Sequence, residues 1–286
     1  MQAVAALPPI RAQLEAQEIF ARKSLGQNFL FDLNMTGKIA RAAMPLESDT
    51  IVEIGPGPGG LSRALLLAGA QRVIAIEQDK RFEAILRQLT EASQGTFEVI
   101  FEDARQIDVD ALATGPKQIV ANLPYNVGTH LLTGWLQASP WPPSFHRMTL
   151  MFQKEVAMRI TAGPGDAHYG RLAILANWRC STHRLFDVPA TAFTPPPKIT
   201  SSIVQLTPRS DPLPCSASAL QRITAAAFGQ RRKMLRQSLK ALGLGTDGLR
   251  DLLSDAGLDG TERPETLPIA TFVALANGVE AASAGD

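Results

Sequence analysis

The chain contains little cysteine and no long hydrophobic run. Its two cysteines, Cys180 and Cys215, belong to no CxxC pair, and its four histidines are scattered, so no cluster has metal-ligand spacing. We therefore expect no bound metal and a reducing, cytoplasmic compartment. No apolar stretch approaches the roughly 20 residues of a membrane span. The N-terminal residues lack the basic and apolar regions of a secretory signal, which argues against a membrane partner.

The formal net charge of the whole chain is only +1, so neither charge sign is in strong excess overall. The two signs are nevertheless distributed unevenly along the chain. Residues 41–115 contain seven Lys and Arg against twelve Asp and Glu, whereas residues 167–246 contain eleven against two. Such asymmetry indicates a polyanionic partner such as nucleic acid. The alternative is that the basic residues simply cover solvated helix faces.

Short apolar runs alternate with helical patterns over the first two thirds of the chain. This alternation predicts βαβ units and a mainly parallel, doubly wound sheet, which is an α/β fold. Two late strands without a helix between them, at 180–188 and 199–208, predict an antiparallel edge. The other predicted strands are 51–54, 72–77, 97–102, 118–122 and 148–153, and the predicted helices between them are 59–69, 79–92, 127–138 and 154–162.

Proline-rich segments divide the chain. AFTPPPK (192–198) predicts a stiff loop that holds Phe193 in place, because three successive prolines fit neither a helix nor a central strand. PRSDPLP (208–214) has the composition of a linker. The pattern after it is helical, at 216–228, 230–242, 247–256 and 268–278. We expect a loosely docked extension over 1–22, an α/β domain over 23–210 and an all-helical domain over 211–286.

VEIGPGPGGLS (52–62) is the first motif that indicates chemistry. Gly55, Gly57 and Gly60 fit GxGxxG directly after a strand and at the start of a helix, and Glu77 ends the next strand. Glycines let the backbone turn tightly beside a ligand, and the acid accepts hydrogen bonds from ribose hydroxyls. This pattern predicts an adenosine-type cofactor, and both NAD and S-adenosylmethionine satisfy it.

Two further motifs end strands at the same predicted edge. Asp103 can accept a hydrogen bond from an adenine amino group, or can simply cap the helix that follows. In NLPY (122–125), the side-chain oxygen of Asn122 and a backbone carbonyl can accept the N–H groups of an adenine amine and aim its lone pair at a methyl donor. Pro124 stiffens the turn, and Tyr125 offers a stacking face for a base. The alternative is an ordinary type I turn.

These motifs together closely resemble those of the ribosomal RNA adenine N6,N6-dimethyltransferases, and most of all those that act on small-subunit RNA. NLPY and FTPPPK are the specific elements, and the matches run in order over most of the chain. The resemblance implies a Rossmann-like S-adenosylmethionine-dependent methyltransferase domain followed by a small helical domain. The matching stretches are KSLGQNFL (23–30), VEIGPGPGGLS (52–62), Glu77, ED (102–103), NLPYN (122–126), QKEVAMRI (153–160), AFTPPPK (192–198) and AFGQRRKMLRQSLK (227–240).

The resemblance also implies roles for single residues. Asn28 and Leu30 would close over S-adenosylmethionine, Gly55 would lie against it, Glu77 would bind its ribose and Asp103 its adenine. The QNFL segment receives its role from the resemblance alone.

On the substrate side, the resemblance implies that Asn122 touches both the methionine end of the cofactor and the target amine. Tyr125 and Phe193 would sandwich the target adenine, with Pro124 beside it. The substrate would be two adjacent adenines near the 3′ end of the 16S RNA, within the 30S subunit or its precursor, and the enzyme would act as a monomer.

The predicted helix 229–240 contains Arg231, Arg232 and Lys233, which we expect to contact RNA phosphates. Three other functions remain open from the residues. They are a large-subunit RNA adenine methyltransferase, an NAD-dependent dehydrogenase, and a non-enzymatic factor in ribosome assembly.

Overall fold

The structure is a computed structural model that describes residues 2–22, 26–125, 127–230 and 233–284. The chain forms two compact units. The first contains Met1–Ala157 and His183–Pro208, and the second contains Met158–Thr182 and Arg209–Asp286. The chain therefore enters the second unit twice.

The longer strands match the predicted runs within a few residues. They are β1 (Phe29–Leu30), β2 (Thr50–Ile54), β3 (Arg72–Glu77), β4 (Phe97–Phe101), β5 (Lys117–Asn122), β6 (Phe145–Gln153), β7 (Cys180–Val188), β8 (Phe193–Thr194) and β9 (Ser201–Pro208). β1 and β8 are short and were not predicted.

Seven of these strands form one sheet in the order β4-β3-β2-β5-β6-β9-β7. The pairs β2–β3, β3–β4, β2–β5 and β5–β6 are parallel, and β9 runs antiparallel to β6. All five residues of β2 are buried, as expected for a central strand covered on both faces. The predicted α/β fold with a largely parallel sheet and an antiparallel strand toward one edge is confirmed.

The α-helices alternate with the strands in the first part of the chain and dominate the last part. They are α1 (Gln2–Ala5), α2 (Ile10–Ala16), α3 (Leu33–Ala42), α4 (Gly60–Leu67), α5 (Glu83–Ser93), α6 (Gly128–Leu136), α7 (Lys154–Thr161), α8 (Arg171–Arg179), α9 (Ala217–Gly229), α10 (Leu235–Ser238), α11 (Gly245–Asp255) and α12 (Ile269–Ala284). None of the helices described here has the length and apolar character needed to cross a bilayer.

The N-terminal segment corrects one expectation, because it is not a loosely docked extension. Val4, Ile10 and Leu14 are buried in the hydrophobic core of the first unit. The guanidinium of Arg63 in α4 donates to the carbonyl of Pro8 at 2.7 Å and to the side chain of Gln13 at 2.6 Å. Apolar packing and these hydrogen bonds hold α1 and α2 in place, and only the three-dimensional structure brings α4 to them.

The second unit begins earlier than the predicted helical domain. The predicted boundary lies between residues 210 and 211, while the structure divides at 208 and also assigns residues 158–182 to the second unit. α8 explains the difference, because the sequence pattern did not predict this helix. Its Trp178 donates to the carbonyl of Leu213 at 2.7 Å, and nearby Tyr169 packs edge-on against Phe228 of α9.

The predicted basic helix is also corrected. α9 ends at Gly229, Lys233 lies in a bend, and α10 begins only at Leu235. The amides of Leu235 and Arg236 donate to the carbonyls of Glu262 and Gly260 instead of to a preceding helical turn. These long-range hydrogen bonds interrupt the helix that the local pattern predicts.

Candidate active site

A cavity of about 520 Å³ opens at the carboxyl edge of β2, β3 and β5. Open α/β sheets bind ligands at this edge, because the loops after the parallel strands meet there. The residues that the sequence predicted around a cofactor and a base all line this cavity: Asn28, Leu30, Gly55, Glu77, Asp103, Asn122, Pro124, Tyr125 and Phe193.

The glycine loop between β2 and α4 forms one wall. Gly55, Gly57 and Gly59 have φ angles of 67°, 55° and 88°, a region that side chains disfavour. The amide of Gly55 donates to the carbonyl of Ile76 at 2.9 Å, which ties the start of the loop to β3. The loop therefore turns tightly, and Gly55 and Gly60 line the cavity.

Glu77, at the end of β3, connects the glycine loop to the next loop. One carboxylate oxygen accepts from the amide of Gly57 at 2.9 Å, and the other accepts from the amide of Asp79 at 2.7 Å. Burial raises the pKa of Glu77, and the two amides oppose that rise. Each oxygen retains a lone pair, so this side chain is oriented to accept further hydrogen bonds from hydroxyl groups.

Asp103 caps the short 3₁₀ turn that follows it, as one of the two interpretations predicted. Its carboxylate accepts from the amide of Arg105 at 2.9 Å and from the Arg105 guanidinium at 3.0 Å. The hydrogen bond from the Arg105 side chain holds the pKa of Asp103 below its usual range. The cap and the predicted contact with adenine are compatible, because Asp103 also lines the cavity.

The NLPY stretch leads out of β5 into α6. Asn122 is the last residue of β5, and the Pro124 carbonyl accepts from the amides of Val127 and Gly128 at 3.1 and 3.0 Å. That carbonyl is therefore committed to closing the turn into α6. The Tyr125 hydroxyl shares a 2.6 Å hydrogen bond with the hydroxyl of Ser201. Burial raises the pKa of Tyr125, which keeps its phenol neutral.

The short strands β1 and β8 give the QNFL segment a structural place that sequence reasoning had not found. They pair antiparallel, with Phe29 opposite Thr194 and Leu30 opposite Phe193. Phe193 is almost completely buried and belongs to the core of the first unit. The segment predicted to cover the cofactor and the loop predicted to contact the base are thus connected by backbone pairing.

Comparison with known proteins agrees with this geometry. The family model described as ribosomal RNA adenine dimethylase matches residues 20–280. The chain belongs to this family. It is 57% identical over 278 residues to the ribosomal RNA small subunit methyltransferase A of Rhodopseudomonas palustris (strain HaA2), covering 97% of this chain and 96% of that protein.

Solved structures support the same placement. A dimethyladenosine transferase from Plasmodium falciparum matches with a TM-score of 0.72 at 26% identity, covering 85% of this chain and 94% of that one. The 23S rRNA methyltransferase ErmE matches with a TM-score of 0.65 over 88% of this chain and all of that one, at 23% identity. The latter likeness shows the fold alone.

As a member of the ribosomal RNA adenine dimethylases, the protein is an S-adenosylmethionine-dependent methyltransferase. The cavity suits this cofactor, because a glycine loop with positive φ angles and a backbone-oriented carboxylate stand side by side at its wall. An NAD-dependent dehydrogenase would share these two features, but membership of the adenine dimethylase family excludes this alternative.

Sequence reasoning missed Glu53, which lies in β2 just before the glycine loop. Its side chain is 1% exposed. Burial and, to a smaller extent, the neighbouring carboxylate of Glu77 together raise the pKa of Glu53 to about 8. The residue was hidden in the pattern because it occupies an apolar strand, where only the tertiary structure shows that it is completely enclosed.

Sequence reasoning also missed the contacts that hold the Gln27 side chain at the cavity wall. Gln27 donates to the carboxylate of Asp79 at 2.8 Å and accepts from Arg81 at 3.1 Å. Arg81 in turn donates to the carbonyl of Phe20 at 2.9 Å. The residue beside the predicted cofactor contact Asn28 is therefore anchored to the loop after β3.

Gly60, at the start of α4, provides a sharp test of the β1 placement. A Cβ on this residue would lie 2.9 Å from the carbonyl oxygen of Leu30. We expect Gly60→Ala to push β1 away from α4 and to weaken S-adenosylmethionine binding about tenfold, a loss of ~1.4 kcal/mol. Isothermal titration calorimetry with the cofactor measures this change.

Gly134→Ala is the matched control, because a Cβ at this exposed position of α6 meets nothing within 4 Å. We expect it to leave cofactor affinity unchanged and to stabilise α6 by up to about 1 kcal/mol. Equal cofactor affinity in both variants would contradict the importance of the contact between Leu30 and Gly60.

The predicted phosphate contacts lie apart from this cavity in the sequence. Arg231 and Arg232 fall outside the described residues. Lys233 is exposed in the second unit, in the bend before α10. Their role in RNA binding stays a prediction.

Proposed function

We propose that this protein transfers methyl groups from S-adenosylmethionine to N6 of two adjacent adenines near the 3′ end of 16S ribosomal RNA, giving N6,N6-dimethyladenosine. One observation carries the proposal above all. The cavity that presents the glycine loop and Glu77 also presents Asn122 and Tyr125. The residues that we assign to the cofactor and those that we assign to the base therefore line one cavity, in a member of the adenine dimethylases.

We assign one group of cavity residues to binding and orienting S-adenosylmethionine. Glu77 would accept hydrogen bonds from the ribose hydroxyls and Asp103 one from the adenine amino group, while Gly55 would allow close approach of the backbone. Asn28 and Leu30 would cover the cofactor and exclude water. Bound S-adenosylmethionine supplies an electrophilic methyl group, so the remaining task of the protein is to place the amine.

We assign the positioning of the target adenine amine to Asn122. The lone pair of adenine N6 is delocalised into the ring, which makes the amine a poor nucleophile. A side-chain oxygen and a backbone carbonyl that each accept one N–H favour a more tetrahedral nitrogen and aim its lone pair. Because the Pro124 carbonyl is bonded to the start of α6, we assign the backbone contact to Leu123. Methyl transfer would break the S–CH3 bond, release S-adenosylhomocysteine and leave the positive charge on N6, which then loses its proton to water. No strong general base is required, so catalysis depends on positioning and electrostatics.

The base side uses two rings. Tyr125 follows β5 and Phe193 begins β8, and both line the cavity. We assign them to the two faces of an adenine drawn out of its RNA stack, with Pro124 beside it. Stacking accepts both unmethylated and monomethylated adenine, which a dimethyltransferase requires for its second transfer.

RNA binding beyond the target base is assigned to the basic second part of the chain. Residues 167–246 contain eleven Lys and Arg against two Asp and Glu. We assign phosphate contacts to Arg231, Arg232 and Lys233, which favours a salt-dependent affinity for the 30S subunit or its precursor. The protein acts as a monomer in the cytoplasm and contributes to small-subunit biogenesis.

Two alternatives differ from this proposal in substrate or chemistry. A large-subunit adenine methyltransferase would share the cavity, but the 57% identity to a ribosomal RNA small subunit methyltransferase A favours the small subunit. A non-enzymatic assembly factor would need no NLPY turn at the cofactor cavity.

Methyl transfer to purified ribosomal subunits tests the proposal. We expect label from S-adenosylmethionine to enter undermethylated small subunits, and nucleoside analysis to return dimethyladenosine. Large subunits are the matched control and should take up no label. Transfer to large subunits alone would keep the chemistry and overturn the substrate, whereas cofactor binding without transfer to any RNA would favour the assembly factor.

A further inference from the structure

Ser201 is a buried hydroxyl residue beside Tyr125, which lines the active-site cavity. It is the first residue of β9 and is 0% exposed. It pairs with Gln153 at the end of β6, and Asn122 pairs with Met151 of the same strand. Because β9 runs antiparallel to β6, the beginning of β9 lies at the carboxyl edge of the parallel strands. Ser201 belongs to none of the sequence motifs that indicate chemistry.

The hydroxyl of Ser201 holds the ring of Tyr125. The two hydroxyl oxygens are 2.6 Å apart, and the residues are separated by 76 positions in the sequence. Tyr125 lies in the turn after β5, and Ser201 begins β9, directly after the loop that follows Phe193 and β8. This hydrogen bond therefore connects the two chain segments that carry the proposed stacking rings.

The other ring has a different anchor. Phe193 is opposite Leu30 in the β1–β8 pair, so its position is set by backbone hydrogen bonding and by burial in the core. Tyr125 is in a turn, where no strand or helix pairing restricts its side chain. A stacking ring must keep a definite tilt and separation from its partner, since base–aromatic attraction depends on overlap of the two faces.

We propose that Ser201 is a positioning residue for the target adenine, acting through the Tyr125 hydroxyl to hold that ring at the correct tilt and distance from Phe193. This inference rests on the proposed stacking role of Tyr125. Ser201 itself does not touch the base. Without its hydroxyl, the Tyr125 ring samples several orientations, and adenine loses binding energy before and during methyl transfer.

Ser202 supplies a matched control on the same strand. It is equally buried, and its hydroxyl donates to Asp187 at 2.6 Å instead of to Tyr125. Ser201→Ala and Ser202→Ala each remove one buried, hydrogen-bonded hydroxyl, so a merely structural effect should appear in both. Tyr125→Phe removes the hydrogen bond from the other side while keeping the ring.

The test measures KM and kcat on undermethylated small subunits, together with fluorescence of subunits reconstituted with 2-aminopurine in place of the target adenine. Stacking of 2-aminopurine between the two rings quenches its fluorescence. We expect Ser201→Ala and Tyr125→Phe each to raise KM about five- to tenfold and to weaken this quench. One hydrogen bond contributes roughly a factor of five to ten to a binding constant. The double variant should be no worse than either single variant, because both remove the same hydrogen bond. Calorimetry should give unchanged S-adenosylmethionine affinity.

Four results would overturn the proposal. The first is additive losses in the double variant, and the second is equal losses in Ser201→Ala and Ser202→Ala. The third and fourth come from Tyr125→Ala. If this variant loses the quench and Ser201→Ala keeps it, Ser201 has no positioning role although the stacking role of Tyr125 stands. If Tyr125→Ala also keeps the quench, the stacking role fails, and the role of Ser201 fails with it.

Discussion

Replacement of Asn122 by alanine is expected to lower dimethyladenosine formation on small subunits at least about 100-fold at saturating cofactor. Removal of one preorganised polar group at a reacting centre typically costs two to three orders of magnitude. Asn122 ends β5 at the cavity, where strand pairing with Met151 fixes the backbone of this residue. Labelled methyl transfer followed by nucleoside analysis measures the loss.

Measurement of S-adenosylmethionine affinity separates this catalytic effect from a general disruption of the cofactor site. We expect Asn122→Ala to weaken S-adenosylmethionine binding by less than tenfold, because Glu77, Asp103 and the glycine loop remain. Asn34→Ala is the control, since Asn34 is an exposed asparagine of α3. Full dimethylation by Asn122→Ala would show that the turn has no part in activating the amine.

The second large effect concerns stability and its dependence on pH. Burial raises the pKa of Glu53 from 4.5 to about 8, so the folded protein holds this proton to higher pH than the unfolded chain does. The resulting stabilisation is fully present below pH 4.5 and is lost as the pH rises towards 8. At pH 7 the loss is on the order of 3 kcal/mol, because each unit between the two pKa values corresponds to about 1.4 kcal/mol.

Glu53→Gln removes this titration while keeping the size of the side chain. We expect the free energy of unfolding of Glu53→Gln, relative to the wild type, to rise by about 3 kcal/mol between pH 5 and pH 8 in urea titrations. The comparison between two pH values cancels any constant cost of placing an amide in this site.

Glu98→Gln serves as the control for this measurement. Glu98 lies in β4 with 54% of its side chain exposed, and it pairs with Arg72. Loss of an exposed ion pair changes stability by less than about 1 kcal/mol. An equal pH response in Glu53→Gln and the wild type would contradict the enclosure of Glu53.

The sheet was readable from the sequence for a clear reason. β2, β3 and β5 are mostly apolar, as is typical of strands covered on both faces, and each is followed by a helical pattern. Parallel strands place their carboxyl ends at one edge. The residues that end these runs, Gly55, Glu77 and Asn122, were therefore expected to line one cavity, and they do.

The errors have physical causes as well. The helix predicted over 230–242 is interrupted because Leu235 and Arg236 donate to the distant carbonyls of Glu262 and Gly260. Local periodicity contains no information about such partners. The same holds for β1 and β8, which are two residues each and are too short to show any pattern of their own.

The amino-acid sequence by itself determined the α/β class, the nucleotide-type cavity and the chemical groups at its edge, because all three depend on local periodicity and on residues next to strand ends. Tertiary structure alone decided how those groups are held. The hydrogen bond between Ser201 and Tyr125 and the pairing of Leu30 with Phe193 each join residues far apart in the chain. The enclosure of Glu53 depends on the elements packed around it. Such contacts form only when the whole sheet has assembled, since no local preference of either partner specifies the other.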